Sequence, residues 1–399
     1  MSMRRIAYLL LMATLVTIPF EDIYKLPGVG TMSRVFGFLT FAAWALSAFA
    51  EGRMRQPDAF HTFAFGLVAW IGLSLFWSLD SNTTLERIET SLQLLALSLV
   101  IWDLCDSNRA VRAAIQALVV GLWFAAISVF MNYAQGVEAY YGRFSASGAD
   151  PNYMSMMLAL GMPLAWYLSL HTEQRQVRLI NILYVPVAGL AMGLTGSRGG
   201  FLAGFVAIGY ILSTVGRLKP AGLAALLVVV GAAVAGISVV VPDTTIERIV
   251  SVGDEISEGD LNGRAGIWLE AWDAFAQQPV AGIGAGASRA VLPTGKVPHS
   301  VAITIGLELG IVGLALFAGM VAASLRSARW LPRLDRRMWL SVVAIWAIGS
   351  LSLSLETRKL TWILFSLLLG ATVAARESAG SAAVEAGGIE VTRPAPTQI

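Results

Sequence analysis

AGLAALLVVVGAAVAGISVVV, residues 221–241, carries no charged side chain. As a helix rising about 1.5 Å per residue it spans about 30 Å, the thickness of the hydrocarbon core of a bilayer. A barrel strand is excluded, because its wall alternates apolar and polar positions and this run does not. The stretch therefore predicts a transmembrane helix, and its neighbours decide whether it is alone.

Outward from it, apolar windows fall near residues 6–20, 33–50, 60–78, 88–103, 110–133, 152–170, 178–195, 199–214, 218–241, 300–324, 338–354 and 358–375. They predict an all-α, polytopic membrane protein of about twelve helices. Composition agrees: 56% of the 399 residues are hydrophobic and 14% charged, with mean hydropathy +0.68, where a soluble chain is nearer a quarter charged. That disfavours a soluble enzyme and a disordered chain. With 28 bases against 26 acids there is no strong field to attract nucleic acid. Cys105 alone and three histidines, His61, His171 and His299, leave little material for a metal site, and no cofactor is expected. The basic MSMRR followed by IAYLLLMATLVTIPF resembles a signal peptide but lacks a small-x-small cleavage pattern, so it reads as a retained first helix.

Charge sorts the connections. With a cytoplasmic N-terminus, the inner segments hold 17 of the 28 bases against 9 of the 26 acids, and RSARWLPRLDRR at 326–337 is the strongest anchor. This satisfies the positive-inside rule and puts both termini in the cytoplasm. Residues 1–375 then form one membrane domain and 376–399, small, polar and Pro/Gly-punctuated, a disordered cytoplasmic tail. One outer loop, residues 242–299 between the ninth and tenth helices, is too long for a connector. Within it, 262–278 (NGRAGIWLEAWDAFAQQ) reads as an amphipathic helix along the membrane interface, with Trp268, Trp272 and Phe275 on one apolar side.

Candidates for chemistry lie on the predicted outer side. Arg198 sits in a glycine-lined break (TGSRGGFLAG), Arg264 opens the loop helix, and His299 stands in KVPHS at the entrance to the tenth helix. Singly, an arginine at a membrane boundary is more often a snorkelling anchor, and the histidine reads equally as a solvated interface residue. Together they suit one chemistry: guanidinium forks hold phosphate oxygens bidentately, and a neutral imidazole takes a proton from an attacking hydroxyl. That equipment displaces a diphosphate. No Asp-x-Asp pair occurs in the chain, so arginine takes the place of a bridging metal ion.

Five segments carry a resemblance: DPNYMSMMLALGMPLAW (150–166), GLTGSRGGFLA (193–203), GRAGIWLEAWDAFAQQPVAGIGAG (263–286), PHSVAITIGLELGIVGLALF (298–317) and LETRKLTWILFSLL (355–368). In order and placement they resemble the O-antigen ligase and polymerase superfamily over roughly residues 140–370. The most specific part is arginine, tryptophan, then P-x-x-G-x-G-x-G before Pro-His. The resemblance implies a metal-independent inverting glycosyltransferase of the bacterial inner membrane. It would move a glycan from an undecaprenyl diphosphate carrier to an acceptor on the periplasmic side. It implies that Arg198 and Arg264 engage the donor diphosphate and that His299 is the general base. Where the family usually has asparagine after the histidine, this sequence has Ser300.

Further candidates for substrate contact are Arg143 and Asn152 in GRFSASGADPNY, Arg289 and Lys296 flanking His299, and Arg358 at the outer start of the last helix. Asp150 and Asn152 read equally well as a turn and helix cap. Gly282, Gly284 and Gly286 follow no strand, so they read as close-packing positions, not a dinucleotide loop. The first functional expectation is a ligase completing lipopolysaccharide by transfer to a lipid A-core acceptor. The second is a polymerase using the same donor, and the third a bicarbonate-like transporter, for which the chain lacks an internal repeat.

Overall fold

The computed structural model describes residues 2–23, 25–26, 28, 30–140, 142–217, 223–224, 231 and 264–386. The opening stretch, the 218–241 helix of which it is part and residues 242–263 of the outer loop lie outside the described residues, 223, 224 and 231 apart. Thirteen α-helices are described: α1 (Met3–Thr17), α2 (Met32–Glu51), α3 (Ala59–Leu73), α4 (Ser81–Leu104), α5 (Asn108–Ala134), α6 (Pro151–His171), α7 (Arg175–Thr195), α8 (Arg198–Thr214), α9 (Arg264–Gln277), α10 (Ser288–Val291), α11 (Val301–Ser327), α12 (Arg333–Ser350) and α13 (Lys359–Ala386). A two-residue ribbon, β1 (Lys25–Leu26) against β2 (Gly30–Thr31), precedes α2.

Eight of the described spans are long and apolar enough to cross a membrane, as in a polytopic membrane protein. Three further windows hold α4, α8 and α12. α4 starts at Ser81, before its apolar window, because Asp80 caps it through the Thr83 N–H and its first turns are polar. The last helix also exceeds its window: α13 continues to Ala386 where a disordered tail was expected from residue 376. Alanine-rich sequence favours that continuation, and Glu377 meets Arg55 at 3.4 Å.

The bundle is organised around α6, buried along nearly its whole length and packed against α5, α7, α8 and α12. Connections gather at two ends. At one, Asp103, almost fully buried, accepts from the Arg4 Nη1, the Trp44 indole and the Arg55 backbone N–H. At the other, Lys359 pairs with Glu21 and Ser33, and the Leu79 N–H donates to the Ile283 carbonyl at 3.0 Å. These ends hold, respectively, the connections that the charge count assigned to the inner and the outer side.

Helix α11 is broken. Gly310 has φ 66° and ψ −165°, a conformation open to glycine and costly for other residues. The released carbonyls are not wasted: Leu307 and Glu308 accept from the N–H groups of Ile283 and Gly284, and Leu309 from the Trp70 indole. The Ile311 N–H donates to the Pro279 carbonyl at 2.8 Å. The segment 278–286 thus satisfies backbone groups that hydrocarbon could not. Gly282, Gly284 and Gly286 all have positive φ, and a Cβ would run into Glu308, Ser78 and Thr83 respectively. They are close-packing positions, as their sequence context suggests.

Candidate functional site

Four predicted residues line one cavity of about 260 Å³: Arg143, Asn152, Arg198 and Arg264, with Ser197 and Ser352 beside them. Arg198, Arg264 and Asn152 are delivered by helix starts, and Arg143 by the connection before α6. Arg198 is the first residue of α8, whose cap Ser197 accepts from the Gly200 N–H at 3.2 Å. Gly200 leaves no space for a Cβ against Ser155, so the start of α8 lies directly on α6. Arg143 crosses the same corner. Its Nε donates to the Thr195 carbonyl and its Nη2 to the Asn152 Oδ1, both at 2.7 Å. Arg264 is the first residue of α9.

Helix α9 has one face packed on the protein and apolar side chains left exposed on another. Ile267 and Ala271 form its buried face, against Ile283, Ala287, Leu292 and Leu307, whereas Trp272 is 65% exposed. Trp272 stacks on Phe275 with centroids 5.5 Å apart, and Leu269, Val280 and Ile311 are also exposed. Trp268 turns inward and donates its indole N–H to the Pro298 carbonyl at 2.8 Å.

His299 follows that carbonyl. Its φ of 51° is the one positive value at a non-glycine position among the described residues, a mark of backbone strain held by its surroundings. Ser300, buried, is the N-cap residue of α11 without a side-chain capping bond. His299 itself is exposed, yet partial desolvation of its ring holds the imidazole below its ordinary pKa of 6.5. Arg264, Arg289 and Arg358 push the same way, while Asp150 opposes them. Burial likewise works against the charge of Arg264, and Asp150 supports it. Arg358 lies 4.6 Å over the Tyr153 ring. Arg289 is exposed on α10, and Lys296 on the turn before Pro298.

The arrangement combines a cationic cavity with His299, which does not line that cavity and whose imidazole is biased toward its neutral form. Such a site can hold a polyanion and accept a proton. Among the described residues, no group of three or more His, Cys, Asp or Glu side chains could hold a metal ion. Two acids gain importance from the structure. Asp150 caps α6 through the N–H groups of Asn152 and Tyr153. Glu308, buried in α11, accepts from the Gly286 N–H and the Ser288 hydroxyl. The signal for Glu308 was present in sequence, since an acid inside an apolar run needs a reason to be there.

Residues 183–318 match the family model described as O-antigen ligase. The match covers Arg198, Arg264, Arg289, Lys296 and His299; Arg143, Asn152 and Arg358 lie beyond it. No curated protein matches the chain.

Proposed function

From the premise that this chain belongs to the O-antigen ligase superfamily, we propose that it is a metal-independent inverting glycosyltransferase of the bacterial inner membrane. Its site would face the periplasm, with both termini cytoplasmic, and its twelve helices would include residues 218–241. The donor is a glycan on undecaprenyl diphosphate and the acceptor a sugar of a lipid A-core. The acceptor hydroxyl oxygen attacks the anomeric carbon while the bond from that carbon to the diphosphate oxygen breaks. His299 takes the hydroxyl proton as general base, and Arg198 and Arg264 neutralise the departing diphosphate.

One observation carries this reading: Arg143, Arg198 and Arg264 converge on a single cavity. Arg143 and Asn152 are placed for the phosphates or the first sugar, and Arg289, Lys296 and Arg358 for anionic groups of the lipid substrates. Purified protein reconstituted with a carrier-linked glycan and a lipid A-core acceptor, in the presence of a chelator, should transfer the glycan. No transfer from that donor to any hydroxyl acceptor would refute the proposal. Carrier-linked chains that lengthen without the lipid A-core would replace ligation by polymerisation. Solute uptake by vesicles, unaffected by His299→Ala, would favour transport instead.

A further inference from the structure

The end of α12 shares a cavity with the three arginines. Gly349, in the last turn of that helix, and Ser352 and Leu353, just past it, line the same space as Arg143, Arg198 and Arg264. Of these three, Ser352 alone carries a polar side chain.

Ser352 is fixed from two sides. Its N–H donates to the Gly349 carbonyl at 3.0 Å, and at Gly349 a Cβ would run into Met156 of α6, so the end of α12 lies directly on that helix. Toward α8, a Cβ built on Gly199 would stand 3.5 Å from the Ser352 Oγ. The hydroxyl is therefore beside the residue that follows Arg198.

Nearby serines spend their hydroxyls on the backbone. Ser350 donates to the Ala347 carbonyl at 2.7 Å, and the Ser197 oxygen accepts from the Gly200 N–H. The Ser352 hydroxyl makes no hydrogen bond among the described residues, although it lines a polar cavity. A hydroxyl there complements the guanidinium groups: they supply charge, and it supplies one neutral donor at a fixed point.

We propose that Ser352 is a substrate-contacting residue of the transferase site, donating its hydroxyl hydrogen to an oxygen of the diphosphate that Arg198 and Arg264 engage. The proposal rests on reading that cavity as the diphosphate site. A serine that merely fills the wall makes a different prediction, because its volume would matter and its hydroxyl would not.

Ser352→Thr and Ser352→Val separate the two, being nearly equal in shape and differing in the hydroxyl. The full-length protein in detergent is titrated with inorganic pyrophosphate, without acceptor or added metal. Ser352→Ala and Ser352→Val should weaken binding about 3- to 10-fold, while Ser352→Thr stays within about 2-fold of the parent. Thermal midpoints of the ligand-free variants should match the parent. Equal affinities in Ser352→Thr and Ser352→Val, parent-level affinity in Ser352→Ala, or no pyrophosphate binding by the parent would each overturn the proposal. The titration involves no transfer, so a parent that binds pyrophosphate but moves no glycan would count against the proposed function and leave the test of Ser352 standing.

Discussion

The indole N–H of Trp268 on α9 donates to the carbonyl of Pro298, 2.8 Å away and one residue before His299. It ties the helix that presents Arg264 to the backbone that holds His299 at φ 51°. Trp268→Phe keeps the ring and loses the bond, worth about 0.5–1.5 kcal/mol net. We expect kcat to fall about 2- to 10-fold with little change in the thermal midpoint. A midpoint collapse with unchanged kcat would instead make the bond purely structural.

The His299 imidazole is held below its ordinary value by partial desolvation and by the positive charge of Arg264. A general base must be neutral to work, so lowering its pKa extends activity toward acid. Transfer should persist from about pH 8 to below the ordinary pKa of about 6.5 and fall only in more acidic buffer. His299→Ala should abolish transfer while the protein still inserts and folds. The rate-against-pH profile and a membrane-insertion assay check both statements.

Charge-assisted hydrogen bonds are worth about 1.5–3 kcal/mol each, so removing Arg198 or Arg264 should lower kcat/KM for the carrier-linked donor by about 10- to 150-fold. Lysine at either position supplies a point charge without the planar fork, and restores only part of the loss. Donor titrations with Ala and Lys variants at both positions decide this, and intact donor affinity in both Ala variants would remove the assigned role.

Glu308 receives the Gly286 N–H on one carboxylate oxygen and the Ser288 hydroxyl on the other. Glu308→Ala strands both donors in a buried site, at about 1–3 kcal/mol each. A markedly lower thermal midpoint is expected together with loss of transfer, because the same segment continues to Arg289 and His299. Glu308→Gln, which keeps an acceptor and the side-chain volume, should be milder in both respects.

Glu356, in the connection between α12 and α13, has both carboxylate oxygens buried without a hydrogen-bond partner among the described residues. Burial first, then nearby Glu308, raise its pKa to about 7 from 4.5, against the pull of Arg87 and Arg358. A carboxyl raised in the folded state favours folding most below its unfolded pKa, and that advantage is lost as pH rises through 7. Glu356→Gln should therefore match the parent near pH 4.5 and be more stable at pH 8, by roughly 3 kcal/mol as an upper figure. Thermal midpoints at the two pH values test the sign.

Hydropathy made the membrane class legible from residues 221–241 outward, and the basic clusters sorted the connections into an expected inner and an expected outer set. Both are properties of short segments against their solvent, so neighbours along the chain suffice to read them. Arg198, Arg264 and His299 were legible as candidates because charge at the edge of an apolar run is costly and therefore conspicuous. Tertiary structure alone decided that Arg143, from the connection before α6, and Asn152, in the first turn of α6, close the cavity with Arg198 and Arg264. It also turned Trp268 inward and Trp272 outward on α9, and joined Glu308 to the glycine segment. Those outcomes depend on hydrogen bonds and close packing between segments far apart in sequence, where a single carbonyl or a missing Cβ selects the partner, and no local pattern of residues records that selection.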